Sequence, residues 1–332
     1  MKKLTTALCL ILAATCAAQT EPSHLKFKCD GTFKIVQFTD THFKSGKKAS
    51  KKAVECITSV VDEEDPDLVI FTGDQVYADG VENALHKLTR PLVERGIAFA
   101  AVFGNHDHQF DMTRPAMYDL MQSLTGCVMP PRGDAESPDY AIPVRSSDGT
   151  SVAEVLYCMD THDKTAAFAV GGGYDWLTEE QIEWYRTNSQ GYSARNGNRP
   201  VPSLLFIHIP LPEYKTAAEE NPGLVYGNWR EKRKEICCSA FNSGMFDALK
   251  ERSDITGVFC GHDHDNDFLV PHDGILLAYG RYSGGKTVYN HLGKNGARVI
   301  LLDEKYPSRI QTWLRLSDGT PLFPYTFPQD TW

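Results

Sequence analysis

Five apolar runs in this chain each carry or end in a short polar segment built from aspartate, histidine, asparagine and glycine. Phe33–Phe38 leads into Asp40-Thr41-His42, Asp67–Phe71 into Gly73-Asp74, and Ile97–Phe103 into Gly104-Asn105-His106-Asp107. Further on, Leu204–Ile209 carries His208 just before Pro210, and Ile255–Cys260 leads into Gly261-His262-Asp263-His264. Short apolar runs bounded by turn residues suit buried strands. Helical patterns separate them, at Lys48 to Val61, Gly80 to Arg95, about Thr178–Ser189 and Ser243–Arg252. That alternation implies an α/β fold with helices covering a sheet. In such sheets the loops beyond the carboxyl ends of the strands converge on one crevice, so segments far apart in sequence can meet there.

Val152–Cys158 adds another strand, and the pattern changes after Asp267. Short runs broken by Gly and Asn (Phe268–Pro271, Ile275–Tyr279, Thr287–Tyr289, Arg298–Asp303, Ile310–Arg315) predict an antiparallel portion completing a second sheet. Gln190–Pro200 reads as a surface loop rather than a boundary. With 332 residues, 42% of them hydrophobic, the chain has enough apolar material for one large α/β domain. We expect residues 19–332 to form it, with a core over about 33–303.

The amino terminus follows a different logic. Lys2 and Lys3 precede the apolar stretch Leu4 to Ala14, and Cys16-Ala17-Ala18 supplies small residues for cleavage. Residues 1–18 therefore read as a signal peptide and imply export, to a periplasm or to the outside. Lipid attachment at Cys16 is the alternative reading of the same segment. No later stretch is long and uncharged enough to span a bilayer, which takes roughly 20 residues. The net charge of −9 argues against nucleic acid as a stable partner, since such proteins present a basic face to phosphates. Lys47-Lys48 and Lys51-Lys52 read as a small solvated basic face. Nine cysteines, two of them in the leader, show no Cys-x-x-Cys zinc spacing, and their pairing is not encoded in their spacing.

The polar segments carry the chemistry. Carboxylate, imidazole and amide oxygen form a borderline donor set that suits zinc, manganese or iron, with donors enough for two ions. Asp40-x-His42, Gly73-Asp74, Gly104-Asn105-His106-Asp107, His208 and Gly261-His262-x-His264 together resemble the signature of calcineurin-like metallophosphoesterases. The runs from Asp65 to Val69, His208 to Glu213 and Gly261 to Asp267 are similar to the small purple-acid-phosphatase-like branch. The resemblance covers about Lys34 to Asp303. It implies a two-sheet β-sandwich flanked by helices, in four layers, with a dinuclear metal site at its edge.

Carried over residue by residue, the resemblance gives one metal to Asp40, His42 and His264 and the other to Asn105, His208 and His262. Asp74 would bridge them, because two cations roughly 3.5–4 Å apart repel and a shared carboxylate screens that repulsion. A metal-bound hydroxide would be the nucleophile. His106 would face the leaving oxygen as a catalytic acid, with Asp107 orienting it. Purple acid phosphatases instead bind ferric iron through a tyrosine in Gly-Asp-x-x-Tyr, and this chain has both His42 and Tyr77. We favour His42 as the ligand, which leaves the metal as iron, manganese or zinc. The implied activity is hydrolysis of a small phosphate ester, a monoester ahead of a diester of nucleotides or phospholipid headgroups. A binding protein that keeps the fold without turnover is the reading from another class. Substrate identity and oligomeric state are not encoded in these motifs.

Overall fold

The computed structural model describes residues 25–135, 138–165 and 173–329. The expected leader and Cys16 lie outside the described residues. Two six-stranded sheets face each other. The first contains β1 (Thr32–Phe38), β2 (Leu68–Thr72), β3 (Ala98–Val102), β10 (Gly296–Asp303), β11 (Ile310–Leu316) and β12 (Pro321–Phe327). Its strand order is β12-β11-β10-β1-β2-β3. The second contains β4 (Tyr140–Arg145), β5 (Val152–Cys158), β6 (Ser203–Phe206), β7 (Ile255–Cys260), β8 (Leu269–His272) and β9 (Ile275–Tyr279), ordered β4-β5-β6-β7-β9-β8.

Each sheet is mixed. β1, β2 and β3 are parallel, as are β5, β6, β7 and β9, while the margins pair antiparallel. Central strands buried on both faces explain the continuous apolar runs of the sequence: all five residues of β2 and all six of β7 are buried. Phe38, Phe71, Phe206, Phe259 and Leu276 belong to one apolar layer between the sheets. Gln37 crosses that layer, its Nε2 donating to Thr72 Oγ1 and to the Cys260 carbonyl, both at 2.9 Å.

Helices α1 (Lys51–Glu64) and α2 (Val81–Val93) cover the first sheet with one apolar face each; Ala53, Cys56, Ile57, Val60 and Val61 form that face on α1. α3 (Arg114–Ser123) adds Met117, Tyr118 and Met121 to the core between the sheets. α4 (Glu179–Arg195), α5 (Pro212–Glu220) and α6 (Met245–Arg252) cover the second sheet, where Tyr185, Tyr214 and Phe246 meet Val155, Val258 and Leu277. The four layers expected from the resemblance are present.

Three expectations need correction. The strands after Asp267 do not all complete the second sheet: β8 and β9 do, whereas β10 pairs with β1 and carries β11 and β12 onto the first. Thr287–Tyr289 is not a strand but part of a loop at the site. α4 continues through the expected loop to Arg195, because Ser189 and Ser193 turn inward and are buried, which outweighs the local preference of Gly191 and Ser193. The seven described cysteines are all free.

Candidate metal centre

All five polar segments meet at the carboxyl ends of parallel strands. Asp40 and His42 follow β1, Asp74 follows β2, Asn105 and His106 follow β3, His208 follows β6, and His262 and His264 follow β7. Asp40, His42, Asp74 and His262 all hold left-handed backbone, with φ of 54°, 39°, 53° and 78°. Each such non-glycine residue carries a conformational cost, which concentrates at functional sites where the surroundings enforce it. Three glycines allow the loops to interlock. A Cβ on Gly73 would overlap the His208 ring, one on Gly104 would overlap the Asp74 carboxylate, and one on Gly261 would overlap Thr39 Oγ1.

The donor atoms form two overlapping groups. Asp40, His42 and His264 place one ligand atom each within 4.8 Å of the others, and so do Asp40, Asp74 and His208. Asp74 lies between the two sides: Oδ2 is 3.4 Å from His42 Nε2 and Oδ1 is 3.6 Å from His208 Nε2. Asn105 Oδ1 and His262 Nδ1 each stand 3.2 Å from His208 Nε2. The two groups share Asp40, while Asn105 and His262, expected with His208, stand next to it without belonging to either group.

Hydrogen bonds aim the rings. His208 Nδ1 donates to the Thr72 carbonyl at 2.8 Å, which leaves Nε2 as a bare acceptor. It then faces the oxygen of Asn105, a second acceptor. His264 Nδ1 donates to the Tyr289 carbonyl at 3.0 Å, so its Nε2 is likewise bare, 2.9 Å from His42 Nε2 and 3.7 Å from Asp40 Oδ1. Burial holds His42 and His262 well below the usual imidazole range, lowers His208, and lowers His264 to about 4, so the rings are neutral. Asp40 is pushed well up, first by burial and then by the charge of Asp74. Acceptors facing acceptors and two crowded carboxylates are unfavourable unless cations lie between them. Imidazole, carboxylate and amide oxygen fit Zn, Mn or Fe in this cradle.

His106 is placed differently. Its ring is partly exposed at the mouth, its main-chain N–H donates to Asp74 Oδ1 at 2.9 Å, and its Nδ1 lies 2.8 Å from Gln109 Oε1. Gln109, not Asp107, orients this ring. Asp107 instead accepts main-chain N–H bonds from Gly104, Asp74 and Val76 at 2.8, 2.9 and 3.1 Å, tying the second loop to the third. Tyr77 stacks edge-on against His42 and His106, at centroid distances of 5.1 and 4.7 Å, as part of the wall.

The motifs did not reveal Gln109, Arg114 or Tyr289. Arg114 forks onto both oxygens of Asp160 at 2.8 and 2.7 Å and donates to the Gly104 and His162 carbonyls, both at 2.9 Å. Asp160-Thr161-His162 therefore braces the third loop from the second sheet. Tyr289 packs on His264 at 4.4 Å, opposite Tyr174 on His262 at 4.3 Å. Gln109 lies three residues beyond His106, a spacing that could have flagged it.

Fold and site together define a metallophosphoesterase architecture: two mixed sheets with a potential two-metal cradle at the ends of their parallel strands. The chain belongs to the calcineurin-like phosphoesterase family, whose model matches residues 33–266. It is 30% identical to "Probable inactive purple acid phosphatase 14" of Arabidopsis thaliana, over 94% of this chain and 87% of that one. It is also 30% identical to "Phosphatase DCR2" of Saccharomyces cerevisiae, over 88% of this chain and 55% of that longer one. Among solved structures, a dimetal phosphatase from Danio rerio superposes with a TM-score of 0.59 at 14% identity, covering 89% of this chain and 98% of that one. No described helix is long and apolar enough to cross a membrane.

Proposed function

We propose that this chain hydrolyses small phosphate monoesters with a two-metal centre held by Asp40, His42, Asp74, Asn105, His208, His262 and His264. The observation that carries the reading is His106: it sits beside the donor cluster without belonging to it, and its backbone is bonded to the central carboxylate Asp74. When bound, the metals would supply Lewis-acid polarisation of the phosphoryl oxygens and an acidified water. With Nδ1 donating to Gln109 Oε1, the other ring nitrogen of His106 would give a proton to the departing alcohol oxygen from the doubly protonated ring and be left as a bare acceptor. Asp107 keeps the loops of Asp74 and His106 in register, and Tyr77 walls the cleft on the His106 side. The word "inactive" in the name of the Arabidopsis relative belongs to that protein; here every donor position of the implied set is filled. Export through removal of residues 1–18 belongs to the same proposal, and the intact mass of protein from its native host tests it.

The test is turnover of a chromogenic phosphate monoester beside the matching diester, on protein loaded in turn with iron, manganese and zinc. Monoester turnover lost in Asp74→Asn and His106→Ala, both still folded, is the expected result. Preference for the diester would replace this reading with a phosphodiesterase, and no turnover with any metal would leave a binding protein.

A further inference from the structure

A cationic groove opens beside the metal centre. It encloses about 640 Å³ between the start of α1 and the outer face of α2. Phe43 and Val54 contribute its apolar lining, while Lys47, Lys48, Lys51, Lys87 and Arg90 line it with positive charge against a single acid, Glu55. All five cationic residues are exposed. Among the described residues, none of the four lysines has a carboxylate within salt-bridge distance, whereas Arg90 pairs with Glu94 at 3.5 Å. On a chain of net charge −9 this concentration of unpaired positive charge stands against the overall balance.

Helix stability does not account for it. The first turn of α1 has no acidic residue, and Lys51 and Lys52 occupy the end where the helix dipole disfavours cations. Nor is that end capped by a side chain, because Ser50 Oγ is engaged with the main chain of Lys44, accepting from its N–H at 2.9 Å and donating to its carbonyl at 2.8 Å.

The groove shares a loop with the metal centre. Phe43 follows the ligand His42 directly, and Lys87 Nζ stands 5.9 Å from the centre of the Phe43 ring. Lys44 Nζ lies 4.5 Å above the ring of Tyr77, whose edge meets His106. Positive charge therefore runs outward from the side of the centre where the leaving alcohol would emerge.

We infer that this groove receives the leaving-group side of the substrate, and that the substrate is a small phosphoester whose alcohol part carries further phosphate groups. The inference rests on the phosphomonoesterase reading for the bond that is cut, but not for the binding. Exposed lysines on flexible stems suit phosphates as point charges without demanding one geometry.

Two measurements on the metal-loaded full chain test it: calorimetric binding of inorganic tripolyphosphate, and kcat/KM for a sugar bisphosphate against the corresponding sugar monophosphate. The variant is the triple reversal Lys47→Glu, Lys51→Glu, Lys87→Glu. It is expected to weaken tripolyphosphate binding at least tenfold, to flatten the salt dependence of that binding, and to lower kcat/KM for the bisphosphate without changing turnover of the chromogenic monoester. Its thermal midpoint should not fall, since an acid now occupies the first turn of α1. Equal tripolyphosphate affinity in the two proteins would overturn the inference, as would tighter binding of a hexa-aspartate peptide than of tripolyphosphate. Absence of turnover with every substrate would remove the hydrolase reading alone, and the calorimetric comparison would still decide the groove.

Discussion

Asp107 holds Asp74 by the backbone, its carboxylate accepting the Asp74 N–H at 2.9 Å while also binding Gly104 and Val76. The carboxylate at the centre of the donor cluster is thus fixed by a second, fully buried one. Asp107→Asn keeps the shape but turns one acceptor into a donor aimed at main-chain N–H groups. We expect metal to be retained about 10–100-fold less tightly, as for other groups that orient ligands. Metal content after dialysis, measured by mass spectrometry beside circular dichroism, checks this; full retention would contradict it.

Gly104→Ala should abolish the site while sparing the fold. A methyl there overlaps the Asp74 carboxylate, so the β2 and β3 loops must separate. Turnover is expected to fall more than 100-fold, an order of magnitude typical of displaced reacting groups. Gly197→Ala is the control. That glycine also has positive φ, 67°, but nothing lies within 4 Å of its Cβ position. It should cost about 1–2 kcal/mol of stability and leave turnover intact.

Removal of metal should lower the melting temperature. Asp40 and Asp74 are buried side by side with bare imidazole acceptors, and cations relieve that repulsion only in the folded state. Metal at a hundredfold excess over its Kd would contribute about 2.7 kcal/mol. Scanning calorimetry with chelator and then with added manganese or zinc checks this. A midpoint indifferent to metal would argue against binding at this cradle.

Glu154 gives a stability effect with a definite sign. Burial, followed by the charge of Asp254, raises its carboxyl to about 8 in the folded chain, against 4.5 as the ordinary value. Below pH 4.5 both folded and unfolded forms hold the proton. Between 4.5 and about 8 only the folded form does, so stability falls as pH rises through that window and levels off above it. The slope should be on the order of 1 kcal/mol per pH unit. Glu154→Gln has no proton to lose, so the advantage of the variant over wild type should grow from pH 5 to pH 8, on the order of 1 kcal/mol per unit. Urea unfolding at several pH values would show it, and a constant difference would refute it.

Much of the site was legible because its segments are local. Each ligand motif sits within or just after an apolar run, so strand period and polar terminus are read from the same dozen residues. What connects the segments was not legible. The pairing of β10 with β1 joins Gln37 to Arg298 across most of the chain, and strand periodicity does not choose the partner. The resemblance implied that Asp107 orients His106, but the turn sends its carboxylate back to three amide groups and leaves His106 to Gln109. α3 escaped notice although Thr113 caps it and Pro115 stands in its first turn, a recognised start signal hidden by the polar residues before it. Arg114 opens that helix, and its hold on Gly104 and Asp160 depends on tertiary contact alone.

The glycines at 73, 104 and 261 also set how this centre can change over generations. Each clears space for a side chain contributed by a different loop, so no one loop can drift while its neighbours stay in place. Small adjustments of one ligand are blocked by collision with the next, whereas a single added methyl can dismantle the whole arrangement. Descendants of such a chain should therefore keep this donor set intact or lose it outright, with variation in specificity displaced to freely variable surfaces such as the lysine-lined groove.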